Sequence, residues 1–409
     1  MTNSADPQQI VLAAALVFGL ATACQVIAPR LRIPGLVLLL PVGFIFGLLA
    51  PDLRLDQILG SAFPVAVDLM VAVILFQGGM ELSAIPLRDQ DRTIVRRLVW
   101  VGGSITWIAG SLGAYFILGF AWPLAFMLGA ILIVSGPTVV TPILDFVQPR
   151  ARLRGILMWE GTLLDPLGAL FAVVVFQVIK ATDAATPAEA ALLFLAGILT
   201  AIIAAAIGVL VFVAGGLLVR NNKMLGTQVL LGSVILAAGL ANAVSQDSGL
   251  MAALLMGFAA PRVAKKFGAS LDSALPFFNI VVSIGIGVLF ISIAALVPSP
   301  TFLTLLAPAV FVAVLLILIV RPFVAQLCAL GEGLEPRERI FIGWMDPRGI
   351  VAAATASSIG ASLIALKVTD AEKLLPVAFI VIAVTVVTYS LTAVPVAKAL
   401  GVRDNVKQQ

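Results

Sequence analysis

The sequence predicts an all-α integral membrane protein with about 13 transmembrane helices, and two observations support this fold class. Hydrophobic residues make up 61% of the 409 residues and charged residues only 11%, well below the roughly 25% of soluble domains. Apolar stretches long enough to cross a hydrocarbon core of roughly 30 Å recur from one end of the chain to the other. A soluble globular fold is therefore excluded.

The order of the apolar stretches predicts two inverted repeats of six helices each. Residues 1–180 are expected to form the first repeat and residues 181–222 a linker helix. Residues 223–409 are expected to form the second repeat and a short cytoplasmic tail. The fifth span of each repeat, at residues 122–143 and 339–364, is the one that deviates from a regular helix.

Both of these spans contain helix-breaking residues near their middle. The first carries Ser135-Gly136-Pro137, and the second carries Pro347 and Gly349 on either side of Arg348. Proline lacks an N–H and clashes with the preceding turn, so each helix should be interrupted there. Interrupted spans at matching places in two halves indicate a transporter whose binding site lies at mid-membrane. The broken helices 5 and 12 are therefore expected to cross.

The positions of the basic residues predict the orientation of the chain. Only four of the 25 lysines and arginines fall on the loops expected outside, namely Arg54, Lys180, Lys367 and Lys373. This bias follows the positive-inside rule, so we expect a multi-pass protein of the plasma (inner) membrane with its N-terminus outside and its C-terminus in the cytoplasm. The basic residues of the cytoplasmic loops also account for the net charge of +4. This charge therefore does not indicate a nucleic-acid partner.

Carboxylates and arginines inside the spans are candidates for function, because a charge in the bilayer costs roughly 2.5–3.5 kcal/mol even on insertion scales. Glu160 and Asp165 lie five residues apart, so they point about 140° apart on a helix. Arg321 is the expected partner of Glu160, although it could instead snorkel to the interface. Asp165 then has no evident basic side chain as a partner. A carboxylate in this situation holds either a proton or a metal cation. For Asp68, a structural role or a position at the rim is favoured.

The break in the twelfth span carries two further charges. Arg348 is expected to neutralise the C-terminal ends of the broken helices, whose partial charge is negative. Asp346 supplies a carboxylate next to it. The chain contains no histidine, so any proton chemistry must use carboxylates.

These residues resemble the monovalent cation/proton antiporters, specifically the sodium/proton exchanger branch. Glu160 to Asp165 is similar to the Glu-x-x-x-Asn-Asp pattern of the family's sixth helix, with Asp165 at the position of the aspartate that binds cation and proton. Arg321 matches the arginine that pairs with the glutamate, and Arg348-Gly349 matches the broken twelfth helix. Gln77 stands where the family's third helix often has an acid.

The chain departs from the family pattern at two places. Leu164 occupies the position of the asparagine in Asn-Asp, and Ser135-Gly136-Pro137 replaces Thr-Asp-Pro. Fewer side-chain oxygens are therefore available to a cation than in the family pattern. These departures affect the choice of ion more than the mechanism.

The sequence predicts a secondary active transporter that exchanges Na⁺ for H⁺ by alternating access, with one carboxylate binding either ion. Asp165 is expected to hold Na⁺ or K⁺, assisted by Ser135, Thr138, Thr162 and Gln77. The resemblance implies a homodimer in membrane lipid. One carboxylate left over after the Glu160–Arg321 pair suggests electroneutral, one-for-one exchange.

Several alternatives stay open at this point. The first is a K⁺/H⁺ antiporter, and less favoured ones are a cation-coupled symporter and a channel. An intramembrane aspartyl protease would need two cooperating aspartates, for which Asp346 is the only second candidate, and its Gly-x-Gly-Asp motif is absent from the sequence. We therefore predict no enzymatic activity and no cofactor.

Overall fold

The structure, a computed structural model, describes residues 7–31, 33–60, 62–85, 87, 89–180, 187–218, 223–245, 248–267, 274–297 and 302–404. These residues form a succession of α-helices. The first nine are α1 (Pro7–Arg30), α2 (Leu36–Leu49), α3 (Leu55–Leu59), α4 (Ala62–Ala84), α5 (Asp89–Arg97), α6 (Gly103–Phe116), α7 (Trp122–Ile131), α8 (Pro137–Val147) and α9 (Ala151–Lys180). The others are α10 (Pro187–Leu218), α11 (Lys223–Val244), α12 (Ser248–Phe267), α13 (Ala274–Ala294), α14 (Phe302–Leu315), α15 (Arg321–Cys328), α16 (Pro336–Ile342), α17 (Ile350–Ala365) and α18 (Leu374–Leu400).

The helices account for the predicted spans. Within the described ranges, nine helical stretches are long and apolar enough to cross a membrane, and four further apolar helices are shorter. Two predicted spans are each made of two helices, α7 with α8 and α16 with α17. Two others continue through a π-helical turn, at Leu98–Gly102 and at Leu316–Val320. The predicted all-α, multi-pass membrane fold is confirmed.

The chain forms two compact units. The first comprises Met1–Pro64, Leu87–Asp165 and Gly287–Gln409, and the second comprises Val65–Pro86 and Pro166–Ile286. These units reflect packing, whereas the predicted repeats reflect helix order, so the division into repeats stays a prediction. Helix α10 lies in the predicted linker, of which residues 181–186 and 219–222 are outside the described part of the chain.

In the second unit, glycines let α4 and α12 approach closely. A Cβ atom on Gly79 would collide with the backbone of Leu254, and one on Gly257 would collide with the backbone of Phe76. Small residues at such crossings are typical of membrane helix packing, because backbone contact maximises van der Waals attraction. The Phe76 ring also packs on Phe278 with centroids 5.0 Å apart.

In the first unit, an arginine at the start of α9 anchors the loop before α16. Arg152 donates from Nε to Asp91 Oδ1 at 2.7 Å, and its two terminal nitrogens donate to the carbonyls of Gly333 and Glu332 at 3.0 and 3.1 Å. Because Asp91 is buried, this charge-assisted bond is stronger than an exposed pair. The loop is thereby fixed to the helix that carries Glu160 and Asp165.

The residues after α18 pair with the short loop between α8 and α9. The Arg150 N–H donates to the Val402 carbonyl at 2.9 Å, and the Asp404 N–H donates to the Gln148 carbonyl at 2.9 Å. Arg403 Nε also donates to the Val147 carbonyl at 2.8 Å. These bonds hold the end of α18 against the connection between the two helices that form the site.

Candidate ion-binding site

Two interrupted helices supply the backbone of the candidate site. Helix α7 ends at Ile131 and α8 begins at Pro137, with Gly136 before it in an extended conformation, φ −115° and ψ 155°. Proline suits the first position of a helix, because its missing N–H would have had no intrahelical partner. Likewise, α16 ends at Ile342 and α17 begins at Ile350. Four helix ends therefore lie inside the first unit.

The two interruptions touch each other. Ser135 Oγ donates to the Pro347 carbonyl at 3.1 Å, and Arg348 Nη1 donates to the Ile133 carbonyl at 3.2 Å. A Cβ atom on Gly349 would lie 3.2 Å from the Gly136 nitrogen, closer than most real contacts, so glycine permits this approach. The expected crossing of broken helices 5 and 12 is thus present in the structure.

Asp165 lies next to this crossing. Its exposed fraction is 0%, and neither carboxylate oxygen has a hydrogen-bond partner among the described residues. A Cβ atom on Gly136 would overlap the carboxylate group, so the side chain of α9 rests directly on the extended backbone before α8. Leaving a buried polar group unsatisfied costs roughly 1–3 kcal/mol, and more for a charged group. Asp165 is therefore a group that requires a proton or a cation.

Two threonines add oxygen atoms to the same region. The hydroxyl groups of Thr138 and Thr162 are both buried without a hydrogen-bond partner in the described part of the chain. Thr138 Oγ1 would lie 3.3 Å from a Cβ atom on Gly349, which brings it to the crossing. Thr162 lies three residues before Asp165 in α9, so the two share one helix face.

Prolines also free backbone oxygens at these two threonines. Pro142 lies inside α8 and Pro166 inside α9, each four residues after one of the threonines, Thr138 and Thr162. Because proline has no N–H, it cannot donate the usual helical hydrogen bond to the carbonyl four residues earlier. The region therefore combines one carboxylate with hydroxyl and carbonyl oxygens, which are the ligands that hard cations prefer.

The donor set contains a single acid. Within the described ranges, no group of three or more Cys, Asp or Glu side chains could hold a metal ion. One carboxylate with neutral oxygens in the same region would balance the charge of a monovalent cation. It does not provide the two or more carboxylates typical of a Ca²⁺ site.

Glu160 and Arg321 form a buried ion pair. Arg321 donates from Nη1 and Nη2 to the two oxygens of Glu160, at 2.5 and 2.8 Å. Its Nε donates to the Ile342 carbonyl at 3.1 Å, at the C-terminal end of α16. The π-helical turn Leu316–Val320 directly precedes Arg321 and changes the direction in which it leaves the helix. The arginine thus joins α9, α15 and α16.

The remaining predicted residues lie in two different units. Arg348 Nη2 forms an ion pair with Asp346 Oδ2 at 2.9 Å in the first unit. Gln77 belongs to the second unit, where its Nε2 donates to Asn279 Oδ1 at 2.7 Å and to Glu81 Oε1 at 3.1 Å. The participation of Gln77 in cation binding stays a prediction.

Comparison with known proteins gives the family of the chain. Residues 12–399 match the family described as "Sodium/hydrogen exchanger, transmembrane". The chain belongs to this sodium/hydrogen exchanger family. It is 25% identical over 407 residues to the K⁺/H⁺ antiporter NhaP of Alkalimonas amylolytica. The aligned region covers 95% of this chain but only 66% of the length of that relative.

Two structures of the sodium proton antiporter MjNhaP1 from Methanocaldococcus jannaschii have a fold similar to that of this chain. One, solved at pH 8, has a TM-score of 0.72 and 20% identity, with 96% of this chain and 97% of that one covered. The second, from electron microscopy, has a TM-score of 0.74 and 20% identity, with 99% of each chain covered. At this identity the likeness describes the fold alone.

Sequence reasoning missed the two prolines that free the threonine carbonyls. The signal was present, because Pro142 and Pro166 are both visible inside predicted spans. It also missed Thr385, whose hydroxyl accepts a hydrogen bond from the Arg348 N–H at 3.3 Å. That contact comes from α18, and nothing local in the sequence connects it to the break.

The overlap at Gly136 gives a direct test of the site geometry. We expect Gly136→Ala to lower exchange by about 5- to 150-fold, because forcing an extra methyl group into a packed site costs roughly 1–3 kcal/mol. Gly360→Ala in α17 is the matched control, since its Cβ would meet only Leu374 Cδ2 at 3.9 Å. Ion flux is measured in proteoliposomes after both variants elute as monodisperse peaks. Wild-type flux through Gly136→Ala would show that exchange does not depend on the close contact between Asp165 and the backbone of Gly136.

Proposed function

We propose that the protein exchanges a monovalent cation for H⁺ by alternating access, with Asp165 binding either ion. The observation that carries the proposal is the buried Asp165 carboxylate, which lies against the broken helix and has no hydrogen-bond partner among the described residues. Occupied by a proton or by a monovalent cation, the carboxylate is neutral. An empty, ionised carboxylate would have to be moved through the membrane as a charge, at a cost of several kcal/mol.

The same argument accounts for coupling between the two ions. Because only the occupied forms of Asp165 cross the barrier, an ion must be carried in each direction. One carboxylate exchanges one charge for one charge, so the exchange is electroneutral. Two pairs of buried charges next to the site, Glu160 with Arg321 and Asp346 with Arg348, need no mobile ion.

For the cation we propose Na⁺, in line with the family to which the chain belongs. K⁺ is the second candidate, because the relative from Alkalimonas amylolytica is named a K⁺/H⁺ antiporter. Both ions take carboxylate, hydroxyl and carbonyl oxygens, and they differ in the size of the cavity they require.

The test is an ion-driven proton flux in proteoliposomes. Vesicles with an acidic interior and an internal pH dye are given Na⁺, K⁺ or choline outside, with the membrane potential clamped at zero. We expect alkalinisation with Na⁺, or with K⁺ if that is the cargo, and none with choline. Proton movement without any added cation would indicate a channel, and a flux that requires a membrane potential would contradict electroneutral exchange.

Competition for one carboxylate predicts a specific pH dependence. In the pH range where protons occupy most Asp165 carboxyl groups, the apparent KM for the cation should rise about tenfold for each unit by which pH falls. The maximal rate at saturating cation should stay nearly constant, because enough cation displaces the proton. Cation titrations at pH 6, 7 and 8 measure both quantities. A loss of maximal rate at pH 6 that added cation does not restore would require a separate proton sensor.

We also propose a homodimer in the plasma (inner) membrane with its N-terminus outside and its C-terminus in the cytoplasm. The basic loops support this orientation. Cys24 and Cys328 are both buried, so a single introduced cysteine reports its own accessibility. An impermeant maleimide applied to intact cells should label Thr369→Cys and leave Arg337→Cys unlabelled. The reverse labelling pattern would show that the chain has the opposite orientation in the membrane. Crosslinking in membranes tests the dimer.

A further inference from the structure

Each interrupted span contributes a short half-helix whose two ends need separate anchors. Helix α8 has 11 residues and α16 has 7, and each has one end at the crossing of the two breaks. A continuous helix keeps its direction through its chain of hydrogen bonds, whereas a helix that stops at a break has no such continuation. The ends of α8 and α16 away from the crossing, at Val147 and Pro336, must therefore be held by other contacts.

Helix α18 supports both half-helices. It packs against α8 and against α16, and the Trp344 indole N–H, just after α16, donates to Thr392 Oγ1 of α18 at 2.9 Å. The chain after α18 then pairs with the connection between α8 and α9, where Pro149 and Arg403 lie opposite each other in an antiparallel bridge. We call residues 401–404 the C-terminal clasp.

Arg150 joins this clasp to the far end of α16. Its Nη2 donates to the Gly401 carbonyl at 3.2 Å, and its Nη1 donates to Glu338 Oε1 at 3.4 Å. Glu338 is 6% exposed and accepts a hydrogen bond from the Glu335 N–H, so it caps the N-terminus of α16. The Arg150 N–H also donates to the Val402 carbonyl. One residue of the α8–α9 connection therefore contacts both the clasp and α16.

We propose that Arg150 is a positioning residue for exchange. Together with the C-terminal clasp, it holds the far ends of α8 and α16 so that the two breaks stay in contact at the crossing. This inference rests on the proposed exchange function. It goes further in assigning a role in exchange to residues outside the proposed ligand set, at the opposite ends of the half-helices.

Opening the clasp should slow exchange. The side chain of Asp165 rests on the backbone of Gly136, and Gly136 also lies against Gly349 of the other break. If the far ends of the half-helices can separate, fewer molecules keep these contacts while the helices reorient. A misplacement of about 1 Å at a functional site can lower a rate by about 10²-fold. A loosened clasp should therefore lower the rate even when cation is saturating.

The first test compares two arginines of the same connection at saturating cation and pH 8. Arg150→Ala removes the side-chain bonds to the clasp and to α16, and it should lower the exchange rate about tenfold. Arg150→Lys keeps the charge, but a single ammonium group cannot replace the two-pronged guanidinium, so the rate should fall at least about threefold. Arg154→Ala is the matched control. It breaks an ion pair of 2.7 Å to Asp145, between α8 and α9, and should stay within about twofold of wild type.

A reversible disulfide separates positioning from a general loss of structure. The hydrogen bonds of the clasp flank the bridge, and opposed residues in such a pair have Cα atoms about 4.5 Å apart, within reach of a disulfide. Pro149→Cys with Arg403→Cys should form this disulfide on mild oxidation, whereas Cys24 and Cys328 are buried. Combined with Arg150→Ala, the oxidised protein should exchange within about threefold of wild type. Reduction of the same sample should remove the recovery.

Each outcome decides the proposal. A wild-type rate in Arg150→Ala would overturn it, and so would a cysteine pair that forms no disulfide or whose disulfide leaves the rate low. Loss of exchange on oxidation of the pair with Arg150 present would mean that the clasp must open, which also contradicts it. If Arg150→Ala is not monodisperse, Arg150→Lys takes its place in every comparison.

Cation-driven proton flux through the wild-type protein is measured before the variants. Its absence would contradict the proposed function. Wild-type flux that is unchanged in Arg150→Ala contradicts only the role of the clasp.

Discussion

Replacing Asp165 with asparagine is expected to abolish cation/proton exchange while leaving a folded, membrane-inserted protein. Asparagine keeps the shape of the side chain but neither binds a proton reversibly nor neutralises a cation. A buried cation left without its counter-charge costs roughly 3–5 kcal/mol, so cation binding should weaken by a factor of about 10² to 10⁴, and no proton can be exchanged for the cation. The measurement is the cation-driven dye signal, with insertion and monodispersity checked for the same preparation.

A second intramembrane aspartate provides the matched control for this experiment. Asp68 lies in α4, is half-buried, and is the site of no proposed ligand. Asp68→Asn makes the same chemical change, and we expect it to retain exchange within a few-fold of wild type. Substantial flux through Asp165→Asn would end the mechanism in which one carboxylate carries both ions. Equal losses in both variants would indicate a general effect of removing membrane carboxylates.

Breaking the buried ion pair is expected to have the largest effect on stability. Glu160→Gln or Arg321→Ala alone leaves one buried charge without its partner, at a cost of roughly 3–5 kcal/mol. The double variant removes both charges, so its destabilisation should be clearly smaller than the sum of the two single effects. Thermal unfolding in detergent, followed by intrinsic fluorescence, gives the shift in Tm for each protein.

The double-mutant cycle also tests what Arg321 contributes beyond the pair. Its Nε bond to the Ile342 carbonyl is lost in Arg321→Ala and kept in Glu160→Gln, so the arginine variant should be the less stable of the two single variants. Coupling of at least about 1 kcal/mol is expected for two groups in direct contact. Additive effects would mean that the bidentate contact contributes nothing to folding.

The course of the chain through the membrane was predictable because its signals are local. The length of each apolar stretch gives the spans, and Ser135-Gly136-Pro137 marks the break between α7 and α8 within a few residues. Asp165 was identified for a similar reason. An acid in a long apolar helix, five residues from another acid, is visible in the sequence without any knowledge of packing.

Other parts of the site depend on packing and could not be read from the sequence. The π-helical turns at Leu98–Gly102 and Leu316–Val320 have no distinctive residues. They lie where helices meet, and a Cβ atom on Gly102 would collide with Val324 Cγ1. Arg348 contacts Ile133 and Thr385, which lie 215 and 37 residues away in the chain. Only the folded structure brings these groups together.

The prolines that follow the two threonines bear on how such a site can change in evolution. A side-chain ligand disappears with a single codon change, and this chain has Leu164 and Gly136 where the family pattern carries an amide and a carboxylate. A carbonyl oxygen freed by Pro142 or Pro166 belongs to the backbone, so no substitution at Thr138 or Thr162 can remove it. Substitutions at the two threonines can therefore change the side-chain oxygens near Asp165 while the backbone oxygens stay, as long as Pro142 and Pro166 are kept.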